Sequence, residues 1–257
     1  MAGHSHASLL ASIWLSAVFL FWNATALAGQ LQLTPLSLDL SPSQPATTLT
    51  LRNEANTPVT IQVRVFNWQQ DVDVGMQFAP TTDIALSPAM ATLAAGASQI
   101  VRIVALNPKG TGREQHYRVL VDELPDAAGA SRNQIKVLTR YSLPLFLEPL
   151  TAGLPKLSLR LQQCADGRQR LVITNNGERR ARIANWRLRD GGKVTAEQVG
   201  LAGYALPGSS LALPLSNGLT QPTQGLHLDA DTDLGPWQAD APFPPEPVTC
   251  APPIAPN

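Results

Sequence analysis

The chain has 257 residues, 44% of them hydrophobic, and its 19 basic residues balance its 19 acidic ones. A neutral chain without a basic run argues against nucleic acid or an anionic membrane surface as the main partner. With 2 cysteines and 4 histidines, it also has too few ligands for a cysteine-rich metal centre.

At the amino terminus, SLLASIWLSAVFLFW (Ser8 to Trp22) is an apolar run, and Ala26-Leu27-Ala28 supplies a small-x-small cleavage site before Gly29. The run is short for a membrane span and no stop-transfer pattern follows it. Residues 1–28 therefore read as a secretory signal, although its start carries His4 and His6 and no Lys or Arg. Every Asp, Glu, Lys and Arg lies in the mature part, which is long enough for two domains of roughly 100 to 120 residues each.

That part reads as all-β. Leu49 and Leu51 alternate with polar residues, Arg52 to Asn56 marks a turn, and Val59, Ile61, Val63 and Val65 alternate again. Further short apolar segments run over Ser98–Leu106, His116–Leu124 and Ile135–Leu147, separated by turn-rich stretches such as Asn107 to Gly112 and Pro125 to Ala130. No helical stripe is sustained outside the signal, and 22 prolines with 18 glycines suit sandwiches with many loops.

In RNQIKVLTRYSLPLFLEP, Ile135, Val137, Thr139 and Tyr141 alternate with Lys136, Leu138, Arg140 and Ser142. This is a strand with two different faces. Pro144 removes a ladder donor and confines that end to an edge, a bulge or a terminus. An apolar strand at a sheet edge is open to pairing with other chains. Either the edge is covered or such pairing is its purpose.

Residues 150–155 (Leu150 to Pro155) read as a linker after a first domain over 29–149. The pattern then restarts over 156–250 with Leu157, Leu159 and Leu161, with Leu171 and Ile173, and with Ile183, Trp186 and Leu188. ITNNGERRARI echoes LRNEANTPVTI of the first half, again strand, asparagine turn, strand. The residues 251–257 read as a flexible tail. In an oxidising compartment Cys164 and Cys250 most simply form one disulfide, two buried thiols being the alternative.

No Ser-His-Asp set, phosphate-binding glycine loop or H-E-x-x-H motif is recognisable. The chain thus reads as non-enzymatic, with no catalytic residue, metal or cofactor. Glu123 in HYRVLVDELP shares a face with Tyr117, Val119 and Val121, and Arg102 in QIVRIVAL shares one with Ile100 and Val104. A buried carboxylate needs a cationic partner. These positions predict a structural Arg102–Glu123 pair, joined by an aspartate of the second domain such as Asp233.

QIVRIVALNP, HYRVLVDELP and VLTRYSLPLFLEP, in this order after a signal peptide, resemble the periplasmic chaperones of chaperone–usher pili, closest to the archaic, spore-coat-U-type branch. The resemblance covers Leu31 to Pro149 well and the second domain weakly. It implies two tandem immunoglobulin-like β-sandwich domains set in an L, working in the periplasm. It also implies pilus subunits and an outer-membrane usher as partners. Such a chaperone lends the last strand of its first domain to a subunit that lacks one. The donor strand implied here spans Ile135, Val137, Thr139 and Tyr141, the first three supplying inserted side chains. The better-known branch anchors the subunit's terminal carboxylate with two basic cleft residues, but Ser37 and Pro144 stand at those places. Arg140 and Arg118 are the substitutes expected here. A competing reading is a secreted tandem-sandwich binding module, an adhesin or carbohydrate binder. That module calls for clustered loop aromatics, whereas Trp68, Trp186 and Trp237 are widely spaced.

Overall fold

The computed structural model describes residues 31–108, 112–125, 137–151, 153–215, 219, 225–242 and 249–250. The first sandwich is built from β1 (Leu31–Thr34), β2 (Leu38–Leu40), β3 (Ala46–Asn53), β4 (Val59–Asp71), β5 (Gly75–Pro80), β6 (Ile84–Ser87), β7 (Met90–Leu93), β8 (Ser98–Ala105), β9 (Gln115–Leu124) and β10 (Arg140–Leu147). One sheet has the order β1-β3-β8-β6; the other runs β2-β10-β9-β4-β5, with β7 also on β4. The second sandwich uses β11 (Leu157–Gln163), β12 (Gln169–Asn175), β13 (Ala181–Asp190), β14 (Lys193–Ala205), β15 (Ser209–Leu215), β16 (Leu226–Thr232) and β17 (Gly235–Ala241). Its sheets are β11-β12-β15 and β14-β13-β16-β17.

Period-2 alternation fills the space between each pair of sheets. Val59, Ile61 and Val63 of β4 meet Val101 and Ile103 of β8 and Leu143, Leu145 and Leu147 of β10 in the first core. Leu171, Ile173, Ile183, Trp186 and Leu188 belong to the second. Each such side chain contributes roughly 1.5 to 3 kcal/mol when buried. Ile183 and Trp186 are three residues apart, an odd spacing that a regular strand would send to opposite faces. The ladder between β13 and β14 breaks register there, and Asn185 adopts a positive φ of 45°. The bulge turns both side chains inward, and asparagine tolerates that backbone better than most residues.

The repeated asparagine turns are structural equivalents. Asn53 is fully buried; its Oδ1 accepts from Ala55 N–H at 3.0 Å and its Nδ2 donates to Thr57 O at 2.8 Å and Ala94 O at 3.0 Å. Asn175 does the same with Gly177 N–H at 2.9 Å, Arg179 O at 2.8 Å and Ala205 O at 2.8 Å. Each side chain satisfies backbone groups that the turn would otherwise leave buried and unpaired. The second turn also holds the segment joining the sandwiches, since Asn175 Oδ1 accepts from Lys156 N–H at 3.0 Å. Gly177 is required there, because a Cβ would lie 2.3 Å from Leu154 O.

Cys164, just after β11, is bonded to Cys250 with the Cα atoms 5.4 Å apart, an ordinary disulfide separation. The predicted ion pair of Arg102 with Glu123 is not formed. Val101, Ile103 and Ala105 take the inner face of β8, so Arg102 and Ile100 are exposed on the outer face. QIVRIVA is apolar on both faces, and alternation alone leaves its phase open. Glu123 is buried as expected, but on β9 of the other sheet. Asp233 lies in the β16–β17 turn and accepts the backbone N–H of Arg182 at 3.0 Å. On the same strand, the neighbouring buried carboxylate of Asp122 accepts from Arg64 at 2.6 Å and from Arg140. Burial pushes the Asp122 carboxyl up, but the bonds from Arg140 and Arg64 outweigh it and hold the group below the usual range.

Candidate functional site: an open strand edge beside an interdomain cleft

β10 is antiparallel to β9 along its whole length, from Arg140 opposite Asp122 to Leu147 opposite Gln115. On its other side, β2 pairs in parallel with Leu145 to Leu147 only. Among the described residues, the edge over 140–144 therefore has no strand partner. Pro144 sits where the covered part gives way to the open part, at a position where a missing N–H costs the sheet nothing on its free side.

The side chains along this strand change allegiance. Leu143, Leu145 and Leu147 belong to the first core. Tyr141, the last residue of the expected donor strand, is half-buried and packs against that core. Ahead of it, Thr139 is still held to β9, its carbonyl accepting from Glu123 N–H at 3.0 Å. Val137 is 77% exposed and Leu138 43% exposed. Ile135 lies outside the described residues.

A cleft of about 1000 Å³ adjoins the open edge, lined by Ser142 and Pro144 of β10, Met76 and Arg118 of the first sandwich, and Leu201 and Tyr204 of the second. Ser37 lines it as well, so the positions that lack a basic residue do face this cavity. Arg140 also reaches it but is committed to Asp122. Arg118 is different. Its guanidinium stacks 3.9 Å from the Trp68 ring centroid, a cation–π geometry. Among the described residues its buried Nε has no hydrogen-bond partner, and its terminal nitrogens reach Ser142 O at 3.5 Å and Met76 Sδ at 3.7 Å. Burial lowers its pKa to about 10, which leaves it charged at neutral pH. Trp68 Nε1 and Gln70 Oε1, on cleft-lining residues, also lack partners among the described residues. Asp71 is the acid of the cleft wall, and its Oδ1 is occupied by the backbone N–H groups of Asp73 at 2.8 Å and Val74 at 2.9 Å. The cleft is thus apolar, with a desolvated cation waiting for an anion.

The floor of the cleft is the domain boundary. Trp68, Phe146 and Leu206 form a small buried cluster with Tyr204 packed on it. Phe146 and Tyr204 stand 5.3 Å apart between ring centroids, and Trp68 meets Tyr204 edge-on at 6.0 Å. Beyond the rings, Arg180 lies 3.7 Å from the Phe146 centroid. It donates to Glu114 Oε2 at 2.5 Å and to Asp39 at 2.6 Å. Burial pushes the Glu114 carboxyl up against the pull of Arg180. Arg179 pairs with Glu148 at 2.9 Å. A second tie joins Arg170 of β12 to the β4–β5 hairpin, at 2.8 Å from Val72 O and 2.6 Å from Asp73 Oδ1. Sequence reading missed Glu114, Arg180, Arg170 and Asp73, because partners 66 or 97 residues apart leave no spacing signal. Trp68 and Phe146 carried a faint one, as aromatics falling on the polar phase of their strands.

A family model described as pili and flagellar-assembly chaperone, PapD N-terminal domain, matches residues 30–152. Among curated proteins, none matches the chain by sequence. Among solved structures, a chain of the CsuC–CsuE chaperone–tip adhesion subunit pre-assembly complex, from the archaic chaperone–usher Csu pili of Acinetobacter baumannii, is 22% identical. It matches with a TM-score of 0.62 over 83% of this chain and 98% of that one. The E. coli chaperone DraB matches at 20% identity and a TM-score of 0.53, over 83% of this chain and 96% of that one. A chain of the Salmonella enterica SafA pilin–SafB chaperone complex matches at 17% identity and a TM-score of 0.54, over 83% of this chain and 97% of that one. At these identities the structural matches establish the shared two-sandwich fold.

Proposed function

We propose that this chain, whose residues 30–152 match the pili and flagellar-assembly chaperone family, binds pilus subunits by completing their fold and delivers them to an outer-membrane usher. The family is one of chaperones, not enzymes, and its members work in the periplasm; the signal-like residues 1–28 would bring this chain there. The archaic branch is the assignment favoured by the sequence motifs.

The observation that carries this reading is the open edge of β10, led by an exposed Val137. A subunit lacking one strand would pair its backbone with that edge and receive Ile135, Val137 and Thr139 in its core. Burying Val137 there would contribute roughly 1.5 to 3 kcal/mol. Arg118 is the group suited to anchor the subunit's terminal carboxylate. Arg140, already paired with Asp122, would be the weaker partner for it.

Co-expression of candidate subunits with Ile135→Asp/Val137→Asp tests the proposal. Exposed substitutions change stability by no more than about 0.5 kcal/mol, so free Val137→Asp should melt as the unaltered protein does. Capture should be lost, because an unpaired carboxylate would have to enter the subunit's apolar core. Undiminished subunit capture by the double variant would sink the donor-strand assignment.

A further inference from the structure

A single carboxylate holds β10 at the point where its open edge begins. Asp122 of β9 lies directly opposite Arg140, the first residue of β10. Its Oδ1 accepts from Arg140 Nε, and its Oδ2 accepts from Arg64 Nη2 at 2.6 Å. The Asp122 side chain is only 11% exposed. Arg64 reaches it diagonally from β4, where Gln62 is the residue facing Asp122. The Arg64 guanidinium also lies 5.4 Å from the Phe66 ring centroid, which steadies it. Asp122 thus ties three neighbouring strands together at one level with charge-assisted bonds.

That level is where the sheet runs out. β9 stops at Leu124 and Pro125 follows it, while β4 starts at Val59 after Pro58. Neither proline has an N–H with which to extend a ladder. Ahead of β10, Glu123 N–H still donates to Thr139 O at 3.0 Å, but Leu138 and Val137 are exposed. A strand end paired on one side frays at little cost. A slip of one residue would exchange its two faces and put Leu138 where Val137 is due. Either movement carries Arg140 away from Asp122, so their bond opposes both.

We propose that Asp122 is a positioning residue for strand donation: by holding Arg140 it fixes the register and the direction in which Val137 to Thr139 leave the first sandwich. This rests on the donor-strand role proposed for the same edge and assigns the restraint that prepares it. A strand ordered before contact has less freedom to lose on binding.

The test uses the isotopically labelled mature protein and an N-acetylated, C-amidated peptide of alternating threonine and valine as the pairing strand. Binding is followed by NMR titration, and the free protein by amide hydrogen exchange. In the unaltered protein the peptide should shift the amides of Val137 to Leu143. Asp122→Asn and Arg140→Ala should each weaken binding by about tenfold, the entropy of fixing roughly one residue's backbone at the moment of contact. Both should speed exchange at Glu123 N–H, while Val63 N–H, bonded to Ala89 O inside the sandwich, keeps most of its protection. The double variant should bind no worse than either single, and Arg140→Lys should recover part of the loss. Arg64→Ala should weaken binding less, because the bond from Asp122 to β10 remains. If Arg140 served by touching the peptide, Asp122→Asn would free it; binding by that variant as tight as the unaltered protein's would overturn the positioning role and leave the open edge standing. Equal loss of protection at Val63 and Glu123 would make Asp122 a general stability residue and overturn the role as well. No peptide-induced shift in the unaltered protein would remove the open-edge reading, and the positioning role with it.

Discussion

Arg180→Ala should weaken the protein more than any change at the strand edge. The side chain sits between two acids and an aromatic ring, with Glu114 at 2.5 Å, Asp39 at 2.6 Å and the Phe146 centroid at 3.7 Å. The Glu114 side chain has no exposed surface. Once Arg180 is gone, its nearest remaining cation is Arg179 at 3.9 Å. Leaving a buried charge uncompensated costs about 3 to 5 kcal/mol. Burial already pushes the Glu114 carboxyl up, so it can take a proton and limit the loss, which favours the lower end. The lost stacking on Phe146 adds roughly 1 kcal/mol. A total of about 4 kcal/mol is expected from urea unfolding, with Trp68 fluorescence reporting the boundary. Glu114→Ala should cost less, because Arg180 retains Asp39 and the ring. The double variant should be better than the sum of the singles by roughly 0.5 to 3 kcal/mol. An Arg180→Ala cost below about 1 kcal/mol, or strict additivity, would refute the view that this pair is desolvated and coupled.

The disulfide closes a loop of 86 residues, worth roughly 4 to 5 kcal/mol in the chain-entropy limit. Reduction, or Cys164→Ala with Cys250→Ala, should lower the melting of the second sandwich, read from Trp186, and an unchanged melt would refute this. The Asp122 carboxyl is held low by Arg140 and Arg64. Its contribution to stability is therefore present above the ordinary aspartate pKa of about 3.9 and lost as pH falls through the depressed folded value. Urea midpoints should drop more steeply below about pH 4 in the unaltered protein than in Asp122→Asn, and parallel curves would count against the pairing.

Strands with one apolar phase were legible in the sequence: β4 and the second half of β10 have their inward residues where alternation puts them. The asparagine turns were legible as repeats because each half uses the same local device, a side chain bonding backbone two and four residues on. The open edge was legible through Pro144. Arg102 was misread because β8 offers apolar residues in both phases, and only the opposing sheet decides which is inside. Tyr141 continues the alternation of Val137, but the strand has entered its own sandwich by that point, a change of surroundings that alternation does not register. The boundary ion pairs could not be read, since they depend on how two finished sandwiches meet.

The two ties across the boundary have a mechanical consequence. Arg170 lies near the start of β12, and the Arg180 cluster follows its end at Asn175. At about 3.3 Å per residue, the five steps from Arg170 to Asn175 set the two attachments roughly 17 Å apart along the strand. Two fixed points define an axle. Rotation about the line of β12 leaves both attachments in place, whereas twisting or sliding stretches at least one. The boundary therefore resists twisting and sliding at both ends of β12, and opening about that line is opposed by the Trp68–Tyr204 and Phe146–Tyr204 ring contacts on the cleft floor.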